Sequence, residues 1–167
     1  MRPARKEPLS ACRSHSPCMP IRHTFGMKAH SGWAALVVVG RSNSDLAVVD
    51  RRRIELVNEE WQKRPYHAAE ELESRAARDT VKRGIKAAHR IAVQQLRAAV
   101  KRERERDNQE AACAVLVANP MPGWTVEEIL AVHFRMHQAE GVLFRDALVH
   151  AARACGLKLV ALRDRAS

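Results

Sequence analysis

Two histidines and a glutamate in the run His133-Phe-Arg-Met-His137-Gln-Ala-Glu140-Gly141 have the types and spacing to do chemistry. Imidazoles four residues apart share a face of a helix, which is the spacing two of them need to hold one metal ion. Glu140 follows three residues later on that face. Three ligands with an open fourth position make a catalytic-zinc arrangement. The run is not the His-Glu-x-x-His of metalloproteases, because Phe134 stands where the general base would be. Three ligands from one helix strain a tetrahedron, so a further group must come from elsewhere. His67 and Glu70, in Pro65-Tyr-His-Ala-Ala-Glu70, are the obvious source. The expected metal ligands are therefore His133, His137 and Glu140, around a divalent ion such as zinc. His67, Glu70 and Glu140 are the expected catalytic groups. Two other arrangements use the same residues. In one, Glu140 or Glu70 orients an imidazole as a metal-free general base near neutral pH. In the other, the histidines and the glutamate bond to each other and dock two helices.

These residues must be positioned by the elements around them. Residues 126–155 read as one long helix. At about 100° per residue, Val126, Ile129, Met136, Phe144, Leu148 and Ala151 form an apolar face, with His133, His137 and Glu140 near its centre. Thr125 and Glu128 form a capping box at its start, and Gly156 suits its end. Upstream, residues 67–78 read as a helix, and a second runs from Asp79 or Thr80 to about Asp107 on the stripe Val81, Ile85, Ala88, Ala92, Leu96 and Ala99. Three short strands are expected before them, at residues 33–40, 46–49 and 54–57, with a turn at Asp50-Arg-Arg-Arg53. Residues 111–118 form a continuous apolar run, as in a strand buried on both faces, and residues 157–162 a last strand. The order β-β-β-α-α-β-α-β predicts an α/β or α+β domain, a mixed sheet of about five strands with helices on it.

That order is similar to the ribonuclease H-like architecture, which includes the Holliday-junction resolvases and their relatives. The resemblance covers residues 33–162 and lies in element order. Nucleases of that superfamily need acidic residues on the first strand, near the first helix, after the fourth strand and on a late helix. Here residues 33–40 hold no acid and Asn119 follows the fourth strand, so only Glu70 or Glu71 and Glu140 match. Two metal ions need several carboxylates, so the resemblance does not extend to a two-metal nuclease. The His-x-x-x-His-x-x-Glu-Gly run also resembles one in small bacterial proteins, a likeness that implies no activity.

Composition narrows the partners. Of the 29 Lys and Arg and the 19 acids, residues 1–32 hold six and one, so half of the net charge of +10 lies there. These residues, rich in Pro, Ser, Arg and His, are expected to be a disordered basic extension, with Met19 or Met27 as an alternative start. One domain follows over 33–162, then a tail at 163–167. The domain itself is only mildly basic, which permits weak binding to nucleic acid or another polyanion without requiring it. A mixed apolar and polar stripe also suits a homo-oligomer interface. No apolar run approaches the roughly 20 residues of a membrane span. Cys113 and Cys155 read as core residues and a cytoplasmic setting is expected. Cys12, His15, Cys18 and His23 match no common zinc spacing. No Gly-rich phosphate loop is present, so no nucleotide cofactor is indicated. The best-supported function is a metal-assisted hydrolase, with phosphoester or nucleic-acid substrates implied by the resemblance alone. The alternative is a non-catalytic scaffold or interaction protein.

Overall fold

The computed structural model describes residues 22–42, 45–106, 109–117 and 119–163. The expected extension as far as residue 21, with Cys12, His15 and Cys18, and the tail from 164 lie outside the described residues. Five strands form one mixed sheet: β1 (Arg22–His30), β2 (Trp33–Ser42), β3 (Asp45–Glu55), β4 (Gln109–Val117) and β5 (Leu159–Arg163). Their order is β3-β2-β1-β4-β5, with β1–β2 and β2–β3 antiparallel and β1–β4 and β4–β5 parallel. The helices are α1 (Ser74–Arg104), α2 (Val126–Leu130) and α3 (His133–Ala154). The chain is α/β, a mixed sheet of five strands with helices packed on it.

The first strand is not where composition put it. Arg22–His30, assigned by sequence to the extension, is the middle strand of the sheet. It alternates, with His23, Phe25 and Met27 buried and Thr24, Gly26 and Lys28 on the other face. A two-residue turn leads into β2, and Gly32 takes it at φ +80°, where a side chain would strain the backbone. The expected turn at 50–53 is also strand. It joins the second and third predicted strands into β3, an edge strand on which Arg52 bonds Asp50 and Arg53 bonds Glu55. Charges of that kind are tolerated at an edge and discourage pairing with other chains.

The inner face of the sheet meets α1 and α3 in one core. Phe25, Leu36, Val38, Cys113 and Val115 pack there against Ala92 and Leu96 of α1 and Phe144 and Leu148 of α3. The run of β4 is apolar on both sides, yet over residues 112–117 only Cys113 and Val115 are fully buried; Ala112, Ala114 and Leu116 are half-buried on the outer face. Burial pushes the Cys113 thiol up to about 12, so it stays unreactive. The start of β1 is tied to the end of α1 by a buried bond between His23 Nδ1 and Glu103 Oε2, 2.6 Å long.

A second, smaller core lies under the site. It consists of Tyr66, Ala69, Ala77, Val81, Ile129, Met136 and Ala139. The 67–78 helix expected from sequence is reduced to a single turn, His67–Ala69, and α1 starts only at Ser74. Gly84 explains how close that turn comes to α1: a Cβ there would lie 2.6 Å from Cβ of the buried Pro65. The capping box forms as expected, with Glu128 N–H donating to Thr125 Oγ1 at 3.2 Å and Thr125 N–H to Glu128 Oε2 at 2.7 Å. The long helix, however, breaks after Leu130 and restarts at His133, and Arg135 Nη1 donates to the Glu128 carbonyl across the break at 2.9 Å. Ile129, before the break, and Met136, after it, lie in the same small core.

His89 of α1 stacks on His150 of α3, ring centroids 4.6 Å apart. Burial, and then His150, lower the His89 pKa below its usual 6.5, against the pull of Asp146. The folded chain then binds that proton more weakly than the unfolded one, so this group costs nothing at higher pH and destabilises as pH falls through 6.5. Between about pH 7.5 and about pH 5 the wild-type melting temperature should fall further than that of His89→Gln. Parallel falls would remove His89 from the linkage. Glu103→Ala should cost on the order of 3 kcal/mol in denaturant unfolding, because it strands a buried imidazole. A chain begun at Met27, lacking His23 and Phe25, should show no cooperative transition; a cooperative melt would place β1 outside the folding unit.

Candidate metal centre

Two separate parts of the chain bring three imidazoles together. His67 comes from the turn after Pro65, and His133 and His137 from the first two turns of α3. One nitrogen from each lies within 4.8 Å of the others. The ring centroids of His67 stand 5.2 Å from His133 and 4.8 Å from His137, and those of His133 and His137 are 4.6 Å apart. The two helical Nε2 atoms are 3.0 Å apart. Imidazole nitrogens sharing one tetrahedral zinc stand about 3.3 Å apart, so a cation needs only small side-chain shifts.

Glu140 takes a different place from the one its spacing suggests. It is not in the group of three imidazoles; its Oε1 lies 2.9 Å from His67 Nδ1 and accepts the His67 backbone N–H at 3.2 Å. A carboxylate on Nδ1 makes that nitrogen the proton donor and leaves the lone pair on Nε2. This is the carboxylate–histidine pairing that orients ligands in metal sites. Glu70 is exposed and joins His67 only through a backbone bond, Glu70 N–H to the His67 carbonyl at 3.3 Å.

Burial divides the group. Glu140 is buried and His67 half-buried, whereas His133 and His137 are exposed. Sequence periodicity placed both helical imidazoles in the apolar face of a continuous helix. The break after Leu130 and the start of the main core only at Leu143 leave the first turns of α3 open to solvent instead. The site thus has a buried back wall and an open front. Its place in the sheet follows from connectivity: α3 runs back from the carboxyl end of β4, and Glu140 lines a depression with Ala29 and His30 at the end of β1. Ligands of open α/β sheets bind at such carboxyl ends.

Sequence reasoning missed Tyr66. Its ring is in the small core, and burial, then the charge of Glu140, raise its pKa above 10.0. Its position directly before His67 was the available signal.

No family model matches the chain, and no curated protein does. Among solved structures it resembles Thermus thermophilus RuvC in complex with Holliday junction substrate, with 12% identity and a TM-score of 0.42 over 86% of this chain and 65% of that one. It also resembles the type II variant of the Aquifex aeolicus Ppx/GppA phosphatase, with 11% identity and a TM-score of 0.44 over 87% of this chain and 36% of that one. The chain therefore spans less than two thirds of either. The carboxylates that the superfamily resemblance implies do not assemble here: β1 has no acidic residue and Asn119 follows β4.

The chain has one tyrosine, so ultraviolet absorbance titrates Tyr66 alone. Glu140→Gln should bring its ionisation down in pH while leaving it above 10.0, since burial remains. An unchanged titration would show that Glu140 carries no charge next to the ring.

Proposed function

We propose that His67, His133 and His137 hold one divalent transition metal, most readily zinc, and that the centre hydrolyses phosphoesters. The observation that carries this reading is the convergence of the three imidazoles from two separate segments, with a buried carboxylate fixing the tautomer of one. Three neutral nitrogen ligands leave the ion its full charge and an open coordination position. Bound there, the ion would lower the pKa of a water to about 7 and polarise a phosphoryl oxygen. In the reaction, a water gives up a proton to solvent as its oxygen bonds to phosphorus, the ester P–O bond breaks, and the leaving oxygen takes up a proton from solvent. The protein's part is positional. Glu140 holds His67 in its ligating tautomer, the Pro65–Gly84 contact sets how near His67 comes, and the exposed His133 and His137 leave the front accessible. Zinc suits an imidazole set better than magnesium, which prefers carboxylate and water oxygens.

The test is the metal content of the purified untagged full chain, beside a His133→Ala, His137→Ala variant, with hydrolysis of bis(p-nitrophenyl) phosphate followed in both. About one zinc per chain is expected, lost in the variant together with at least a hundredfold of the activity; Glu140→Gln should weaken metal binding about 10- to 100-fold. A metal-free wild type at micromolar zinc, with a variant that unfolds, would overturn this reading. It would make the cluster a hydrogen-bond network docking α3, in a protein that acts as a scaffold.

A further inference from the structure

Beside the histidines, and separate from them, a cavity of about 300 Å³ opens between α1, α3 and the segment before α2. Ile85, Met121, Ile129 and Leu143 give it apolar walls. Three polar side chains reach it: Tyr66 next to the metal centre, His89 from α1, and Asp146 at the rim on α3. We propose that this cavity is a binding site for an uncharged, mainly apolar small molecule of one or two fused rings that carries a hydroxyl group.

The chemistry of the lining selects that class. The volume lies at the small end of ligand pockets, which run roughly 300–1,000 Å³ and combine apolar walls with a few orienting polar groups. Burial and the stacked His150 favour neutral His89. The apolar wall raises Asp146, partly opposed by His89 and Arg153. A phenolic Tyr66 donates one hydrogen bond, and a neutral imidazole offers one donor and one acceptor. A hydroxyl on the ligand satisfies both partners, whereas an anion would find no lysine or arginine in the lining to pair with. Perturbed groups gathered in one apolar cavity are the usual mark of a ligand site. This site makes no use of a metal and stands whether or not the histidines bind one.

The probes are 2-naphthol and its charged counterpart 2-naphthoate, titrated into the full-length protein by calorimetry with zinc present and absent. Saturable naphthol binding is expected under both conditions, with naphthoate at least tenfold weaker. Tyr66→Phe should lose about tenfold, the value of one buried hydrogen bond. Val142→Phe, which fills the cavity from its partly exposed side, should abolish binding while the melting transition remains; Ala139→Phe fills it from inside if Val142→Phe melts early. Absent naphthol binding, equal binding of the two probes, or full affinity in a folded filled variant would each overturn the proposal. Dependence on zinc would overturn it too, by moving the site to the histidines, whereas a protein that binds naphthol but no metal would overturn only the hydrolase reading.

Discussion

A carboxylate that is only 6% exposed needs hydrogen bonds from the protein, and His67 supplies two of them to Glu140. Oε1 takes both the backbone and the ring of His67, so one oxygen fixes where that residue lies and which way its ring turns. The two residues are 73 positions apart. The bond therefore closes the gap between the connector after β3 and the first turns of α3, and it does so beside the open ends of β1 and β4. If that bond were absent, the close approach of Pro65 to Gly84 would still bring the connector to α1, but nothing would direct His67 toward the helical pair.

The division of labour between the two cores follows. Sheet, α1 and the later turns of α3 bury the large side chains and set the architecture. The smaller core gathers Tyr66, Ile129 and Met136 beneath the imidazoles and orders the parts that the sheet does not reach. The wide apolar stripe of α1 serves both, since Val81 and Ala77 lie in the small core and Ala88 to Val100 in the large one. A helix of 31 residues is long enough to bridge them.

Much of this was legible in the residues. The class of fold, the apolar stripe of α1, the capping box at Thr125 and the relation of His67 to the His133–His137 pair all follow from period, spacing and end signals. What escaped was set by tertiary contacts. Arg22–His30 alternates with only Phe25 and Met27 as strong apolar residues, and His23 turns inward because Glu103, 80 residues on, is there to bond it. The arginines of β3 imitate a turn because an edge strand bears charge. No Pro or Gly marks the break between α2 and α3, and His133 and His137 stand exposed in the turns that follow it. Glu140 was found by spacing and its pairing with an imidazole was one of the expected arrangements, but only the folded chain shows that the imidazole is that of His67.

The separation of the small core from the large one has a consequence for how this protein can change over generations. Substitutions at Ile129, Met136 or Ala139 reshape the ground beneath the imidazoles and the neighbouring cavity, and meet the core of the sheet only through Ile85 and Leu143. A lineage carrying this fold has room to vary the surroundings of the three imidazoles while the sheet and most of its own core persist.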